Sequence, residues 1–377
     1  MKRNVLSSKH NCILTVCKDA GAANVLSVFL KEWKTRGIKI NAYSLCIGHA
    51  IDVFRREGVK PTISRRADIS RPELARILDK LKPKAILLGT SFDSETERLC
   101  VLEARRRNIF CMGYVDWWSN FGRRFSTPNT NDLKYLPDVI GVPDEDARLG
   151  CIADRVPNGL IRVVGNPYWD YLKTQAKHTQ KLRKDIRKKL NIPKKAIVAA
   201  VFSGNVRNLN LNLCYDEHDF WEAITPLPKF SKKGVLICWI LKPHPCEDKA
   251  DTKNLLEKYG VDLLVVDDCS AQEVIAASDF IIGMCSSTLF EAAILGKRVM
   301  SLQPNMNAKR LKYLRIFDHI SIPKITTVDK IHDVLDRLFN CEIGCPKLKK
   351  IPKPLCDGNS NSVLKRLLIS GIKKSKC

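Results

Sequence analysis

Polar and small residues with the chemistry to handle phosphate, hydroxyl groups and protons stand where the apolar runs of this chain end. Lys242-Pro243-His244-Pro245 follows the run Val235–Leu241. A lysine there is a compact cation for a diphosphate, and a histidine can donate to a phosphate or ribose oxygen or simply sit in a surface turn on a backbone carbonyl. Cys285-Ser286-Ser287-Thr288 lies between the run Phe280–Gly283 and an apolar helical stretch. Three hydroxyls at a helix start, beside unpaired N–H groups and the positive end of the macrodipole, make an anion site. One hydroxyl suffices for an N-cap, so Ser286, Ser287 and Thr288 point beyond capping to a ligand. Glu291, one turn further on, is either a capping-box carboxylate or an acceptor for ribose hydroxyls. Ser203-Gly204-Asn205, after Ala196–Phe202, is small enough for a phosphate to approach the backbone.

The first third of the chain carries the carboxylates. Asp19 heads Asp19-Ala20-Gly21-Ala22-Ala23-Asn24, directly after the run Cys12–Cys17. Small residues such as Gly21 leave room for another molecule across the helix start, with Asn24 beside it. Asp19 is then either a general base or an N-cap. Asp116, followed by Trp117 and Trp118, is a second candidate catalytic carboxylate, and Arg124 lies in the same long loop as a candidate acceptor contact. No G-x-G-x-x-G and no G-x-x-x-x-G-K-[ST] occurs, which argues against an NAD enzyme or a P-loop ATPase.

Elements that alternate between strand and helix must position these residues. Strands are predicted at Cys12–Cys17, Ile38–Ser44, Lys84–Gly89, Ile109–Val115, Asp138–Val142 and Ile161–Gly165, with a helix through the periodic Val25, Val28, Phe29 and Trp33 and others at Arg71–Leu81 and Ser94–Arg107. A basic helix, Leu172–Leu190, leads to a second series. Its strands are Ala196–Phe202, Val235–Leu241, Val261–Val266, Phe280–Gly283 and Arg298–Leu302, and its helices Ala250–Tyr259, Ala271–Ala277, Leu289–Leu295 and Val328–Phe339. Apolar strands separated by helices imply parallel sheets covered on both faces. The expected class is α/β, with two Rossmann-like domains around a central cleft: 1–167, then 196–344 after a basic linker 168–195. A basic tail, 345–377, ends in a short helix at Ser362–Ile369. In such sheets ligands bind beyond the carboxyl ends of the strands, where the motifs lie.

A length of 377 residues fits two domains. An apolar fraction of 45% excludes disorder, and no apolar window reaches ~18 residues, the span of a membrane helix. Met1-Lys2-Arg3-Asn4 opens no signal-peptide pattern, so a cytosolic setting is expected. The fifteen cysteines form no C-x-x-C pair and suit buried, reduced thiols. Of the net charge of +24, segment 171–195 carries +9 and 345–377 carries +8. Neither interleaves its cations with stacking aromatics, which argues against a nucleic-acid partner and suits peripheral contact with an anionic inner leaflet, or solubility alone.

The motifs Leu241-Lys242-Pro243-His244-Pro245 and Cys285-Ser286-Ser287-Thr288-Leu289-Phe290-Glu291-Ala292 resemble those of GT-B glycosyltransferases of bacterial capsule and surface-polysaccharide synthesis, the polysialyltransferase-like and Kdo-transferase-like groups. The stretches Ala277-Ser278-Asp279-Phe280 and Ala293-Ile294-Leu295-Gly296-Lys297-Arg298-Val299 are also similar to those of non-hydrolysing UDP-N-acetylglucosamine 2-epimerases. The resemblance implies that His244, Ser286, Ser287 and Thr288 bind the phosphates of a nucleotide sugar and Glu291 its ribose, and that Asp19 activates an acceptor; Ser203, Gly204 and Lys242, from their place after strands, are candidates for the same nucleotide sugar. It implies no metal and no cofactor beyond the nucleotide-sugar substrate. The leading expectation is an inverting glycosyltransferase acting on a glycan or lipid-linked acceptor. The alternatives are a 2-epimerase of the nucleotide sugar itself and a non-catalytic nucleic-acid-binding protein.

Overall fold

The computed structural model describes residues 11–35, 39–175, 178–204, 206–209, 215–244, 247–306, 322–339 and 356–374. They form two units, 1–171 with 353–377, and 172–352. Both are parallel α/β layers, the class expected from the apolar, helix-separated strands. Among the described residues, no helix is long and apolar enough to cross a membrane.

The first unit is built on β1 (Cys12–Cys17), β2 (Asn41–Ile47), β3 (Ile63–Arg65), β4 (Ala85–Leu88), β5 (Phe110–Tyr114), β6 (Val139–Val142) and β7 (Ile161–Val163), in the order β3-β2-β1-β4-β5-β6-β7 with every pairing parallel. All six residues of β1 are buried, as befits a central strand with helices on both faces. Leu14, Val16, Leu45, Ile86 and Leu88 share a core with Leu74 and Leu78 of α3 (Arg71–Leu81) and Val101 and Ala104 of α4 (Glu95–Arg106). Each such buried aliphatic side chain contributes ~1.5–3 kcal/mol. α1 (Ala20–Thr35), α2 (Ala50–Arg56) and α5 (Glu145–Ala153) complete the layers. The chain's last helix, Ser360–Lys374, belongs to this unit and packs on β4 and β5; a Cβ at Gly371 would overlap the Phe110 ring. The switch in strand order, between β1 and β4, is where an open sheet of this kind leaves a crevice at its carboxyl edge.

The predicted basic helix is two helices. α6 (Pro167–Gln175) crosses the division between the units and buries Tyr168, Trp169 and Leu172, whereas α7 (Thr179–Lys189) belongs to the second unit and buries Ile186. The second sheet runs β10-β9-β8-β11-β12-β13, again all parallel. Its strands are β8 (Ile197–Phe202), β9 (Ile237–Lys242), β10 (Leu264–Val265), β11 (Phe280–Gly283), β12 (Arg298–Leu302) and β13 (Lys324–Ile325). α8 (Val206–Leu209), α9 (Glu217–Ile224), α10 (Lys249–Lys258), α11 (Ala271–Ala277), α12 (Ser287–Ile294) and α13 (Ile331–Phe339) accompany them. Its switch point lies between β8 and β11. Cys12, Cys17, Cys100 and Cys111 are buried free thiols, and among the described residues no cysteine is in a disulfide.

Candidate functional site

The carboxyl edge of the first sheet gathers charge at its switch point. Lys18 and Asp19 leave β1, Thr90, Ser91 and Asp93 follow β4, and Asp116 follows β5. Glu97, in the first turn of α4 and only 3% exposed, ties the first two loops together. Its Oε1 accepts from the Lys18 N–H at 3.0 Å and the Ser91 hydroxyl at 2.9 Å, and its Oε2 from the Ser91 N–H at 2.7 Å. Burial, with Asp19 nearby, pushes Glu97 up to about 8 against the pull of those donors. Asp19 is likewise pushed up, to about 6, by burial and by the charges of Asp116 and Asp93, while Arg124 and Ser91 oppose the rise. Burial works against the charge of Lys18, yet hydrogen bonds to Asp93 and Asp68 hold its pKa above the ordinary lysine value. Both ion pairs are 3.0 Å long.

Asp116 is fixed from two sides. Arg124 donates from Nη1 to Asp116 Oδ1 at 2.9 Å and to the Thr90 carbonyl at 3.0 Å, and from Nε to the Ser119 carbonyl at 3.2 Å. The other oxygen, Oδ2, lies over the first turn of α1, where a Cβ on residue 21 would overlap it. Glycine at 21 therefore admits the chain's own carboxylate, which favours the positive end of the helix. Thr90 sits at φ 56°, a left-handed conformation that costs a β-branched residue ~1–3 kcal/mol. Its hydroxyl bond to the Tyr114 carbonyl (2.8 Å) and its carbonyl bond from Arg124 hold it there. Asp19 and Glu97, raised by different amounts and close to fixed cations, form an arrangement able to hold and move protons near neutral pH.

The second sheet presents a different chemistry at its own switch point. Ser203 follows β8, and its hydroxyl donates to Glu247 Oε1 at 2.5 Å, while Glu247 Oε2 accepts from the His244 N–H at 2.7 Å. Burial raises the pKa of Glu247. Across the switch point, Ser286 is the N-cap of α12, its Oγ accepting from the Thr288 N–H at 3.2 Å and donating to Thr288 Oγ1 at 3.1 Å. Glu291, 5% exposed, is held from α11 by Gln272 Nε2 at 3.1 Å. Lys242 turns to the Asp267 carbonyl at 3.0 Å, and burial lowers its pKa. The edge thus offers hydroxyls, a helix start and a lysine, the components of a phosphate and ribose cradle.

The residues predicted from sequence divide accordingly. Asp19, Asp116 and Arg124 cluster on the first sheet; Ser203, Gly204, Lys242, His244, Ser286, Ser287, Thr288 and Glu291 lie at the carboxyl edge of the second. Of the residues expected to touch an acceptor, Gly21 and Arg124 adjoin Asp116, and the Asn24 side chain accepts from Arg56 at 2.7 Å. Asn205 and Pro245 lie outside the described residues. Glu97 and Glu247, absent from the prediction, are the groups that fix the loops. Among the described residues no cluster of three or more His, Cys, Asp or Glu is placed to hold a metal.

No protein-family model matches the chain, and no curated protein matches it in sequence. Solved structures do resemble it. The UDP-GlcNAc 2-epimerase of Neisseria meningitidis, bound to UDP-GlcNAc, superposes with TM-score 0.67 at 15% identity, over 95% of this chain and 100% of that one. The UDP-GlcNAc 2-epimerase of Methanocaldococcus jannaschii gives 0.67 at 16% identity, over 95% and 99%. Anabaena HepE, in complex with UDP-glucose, gives 0.59 at 12% identity, over 97% and 98%. The chain has the two-domain, GT-B-like fold of these proteins.

Proposed function

We propose that the chain is an enzyme of nucleotide sugars, that its second unit binds a uridine diphosphate sugar, and that it acts on the sugar as a 2-epimerase. The observation that carries this reading is the cluster of Asp19, Glu97 and Asp116 with Lys18 and Arg124 at the first sheet's switch point. Inverting a sugar carbon requires a proton to leave one face and another to arrive on the opposite face, so it needs an acid, a base and fixed charge around the ring. Transfer to an acceptor needs one base. Asp19, with a pKa of about 6, is mostly ionised at neutral pH and serves as the base. Asp116, oriented by Arg124, is the second proton-handling group. Lys18 stabilises developing negative charge, and Glu97 positions Lys18 and Ser91 rather than touching substrate. In the second unit the Ser286–Thr288 turn and the β8 loop take the diphosphate, and Glu291 the ribose. The structural likeness to 2-epimerases supports this reading over glycosyl transfer, the leading expectation from the sequence motifs.

Incubation with UDP-GlcNAc alone in D2O tests it. The expected result is the C2 epimer carrying deuterium at C2, with Asp19→Asn and Asp116→Asn folded but inactive. No epimer and no exchange, with UDP released only when a glycan acceptor is added, would restore the transferase reading.

A further inference from the structure

At the amino edge of the second sheet, opposite the strand ends that carry the nucleotide motifs, lies a pocket of about 530 Å³. It opens where β8, β11 and β12 begin, and six cations line it: Arg183, Arg187, Lys194, Lys195, Lys297 and Arg298. Asp279 is the single carboxylate in its wall.

Part of this charge has a structural purpose. Asp279 accepts from Arg183 and from Arg187, each at 2.6 Å. Arg183 also donates to the carbonyls of Ala277 and Ser278, Arg187 to those of Ala277 and Ala196, and Lys297 to those of Ala276 and Ser278. Three cations therefore close the C-terminus of α11, where the helix dipole favours them. Lys194 and Lys195 exceed that need. Lys194 and Lys195 are exposed neighbours at the entrance to β8 and make no ion pair or side-chain hydrogen bond among the described residues. Arg298 lies over the Phe280 ring at 5.3 Å. One carboxylate does not balance six cations. The imbalance also shows in Lys297, whose pKa falls to about 8 through burial and the adjoining Arg183 and Arg187, with Asp279 opposing.

We propose that this pocket binds a compact, multiply phosphorylated anion, separately from the nucleotide site. The volume is that of a small-molecule site. Phosphate oxygens suit both the guanidinium edges and the two exposed ammonium groups of Lys194 and Lys195. A nucleic-acid strand fits less well, because the lining offers one aromatic ring, Phe280, and Arg298 already covers it. The phosphates can come from a free metabolite or from a lipid headgroup.

The test uses the full chain with saturating UDP, so that the carboxyl-edge site is filled. Tripolyphosphate is titrated calorimetrically, and in parallel the protein is sedimented with phosphatidylcholine vesicles with and without phosphatidic acid. The discriminating variant is Lys194→Glu/Lys195→Glu, whose side chains are exposed and bond to no other side chain among the described residues. Its charge-matched control is Lys60→Glu/Lys80→Glu, exposed on the first unit. The expected result is binding of tripolyphosphate, of phosphatidic acid vesicles or of both, weakened roughly tenfold or more in the first variant and unchanged in the control. Binding of tripolyphosphate alone identifies a soluble ligand; binding of vesicles alone identifies a headgroup. Binding of neither probe, or equal weakening in both variants, would overturn the proposal.

Discussion

Replacing Gly21 with alanine sets two effects of opposite sign against each other. Residue 21 lies in the first turn of α1, with no positive φ to preserve, so the exchange should stabilise the helix by ~1 kcal/mol. The added Cβ, however, would overlap Asp116 Oδ2 by roughly 1 Å, and the carboxylate must retreat. Its other oxygen is bonded to Arg124 at 2.9 Å, with the two side chains 13% and 5% exposed. Moving Asp116 leaves a buried guanidinium with only carbonyl partners, and breaking a buried pair costs ~3–5 kcal/mol. The larger effect wins, and Gly21→Ala should lose about 2–4 kcal/mol. Urea unfolding followed by tryptophan fluorescence reads this, since Trp33, Trp117, Trp118 and Trp169 all lie in the first unit. The decisive comparison is a double-mutant cycle. On an Asp116→Ala background nothing remains to clash with, so Gly21→Ala should recover its helix-forming gain of ~1 kcal/mol. A single variant more stable than wild type, or an equal loss on both backgrounds, would refute the assignment of Gly21 to Asp116.

Glu97→Gln should flatten the dependence of stability on pH. The folded-state pKa of about 8 exceeds the ordinary 4.5, so the folded chain keeps a proton that the unfolded chain has released, and wild-type stability falls as pH rises between those values. The loss from Glu97 should be about 1 kcal/mol per pH unit between about pH 7 and about pH 7.5, where Asp19 contributes little, and an unchanged slope in urea series across that interval would count against the raised pKa. The hydroxyls of the serine turn should separate by role: Ser286→Ala, which removes the α12 cap, should cost ~1 kcal/mol of stability. Ser287→Ala should leave stability intact and weaken UDP by about tenfold, measured calorimetrically, if its hydroxyl contacts the nucleotide.

The strands that the sequence makes legible are the ones buried on both faces. β1, β11 and β12 stand where their apolar runs place them, because a continuous apolar stretch bounded by polar residues admits few other strand positions. The predicted strand at Ile38–Ser44 lies instead at Asn41–Ile47, since its pairing with β1, Cys12 opposite Asn41 through Cys17 opposite Cys46, sets the register. α5 and α9 carry a signal that apolar periodicity does not show. Asp144 caps the first through the Ala147 N–H, and Asp216 forms a capping box with Asp219 at the start of the second. The long basic helix misleads because charge is continuous across Leu172–Leu190 while burial is not.

The site residues follow the same division between local and non-local information. Asp19, Asp116, Ser286 and Ser203 follow strands directly, so their placement at a carboxyl edge can be read from the chain. Glu97 and Glu247 cannot be found that way, because what makes them matter is a partner on another loop. Glu97 reaches Lys18, 79 residues away, and Glu247 reaches Ser203, 44 away. Both spend their oxygens on backbone N–H and hydroxyl groups that the end of a sheet leaves unpaired, and both pay in a raised pKa. A carboxylate is suited to this because each oxygen accepts more than one bond, so one side chain can fix two loops at once. Each unit thus positions its polar edge with a glutamate contributed by a later segment, buried in the first unit and half-buried in the second. A substitution at either should misplace residues in its partner loop before it unfolds a sheet.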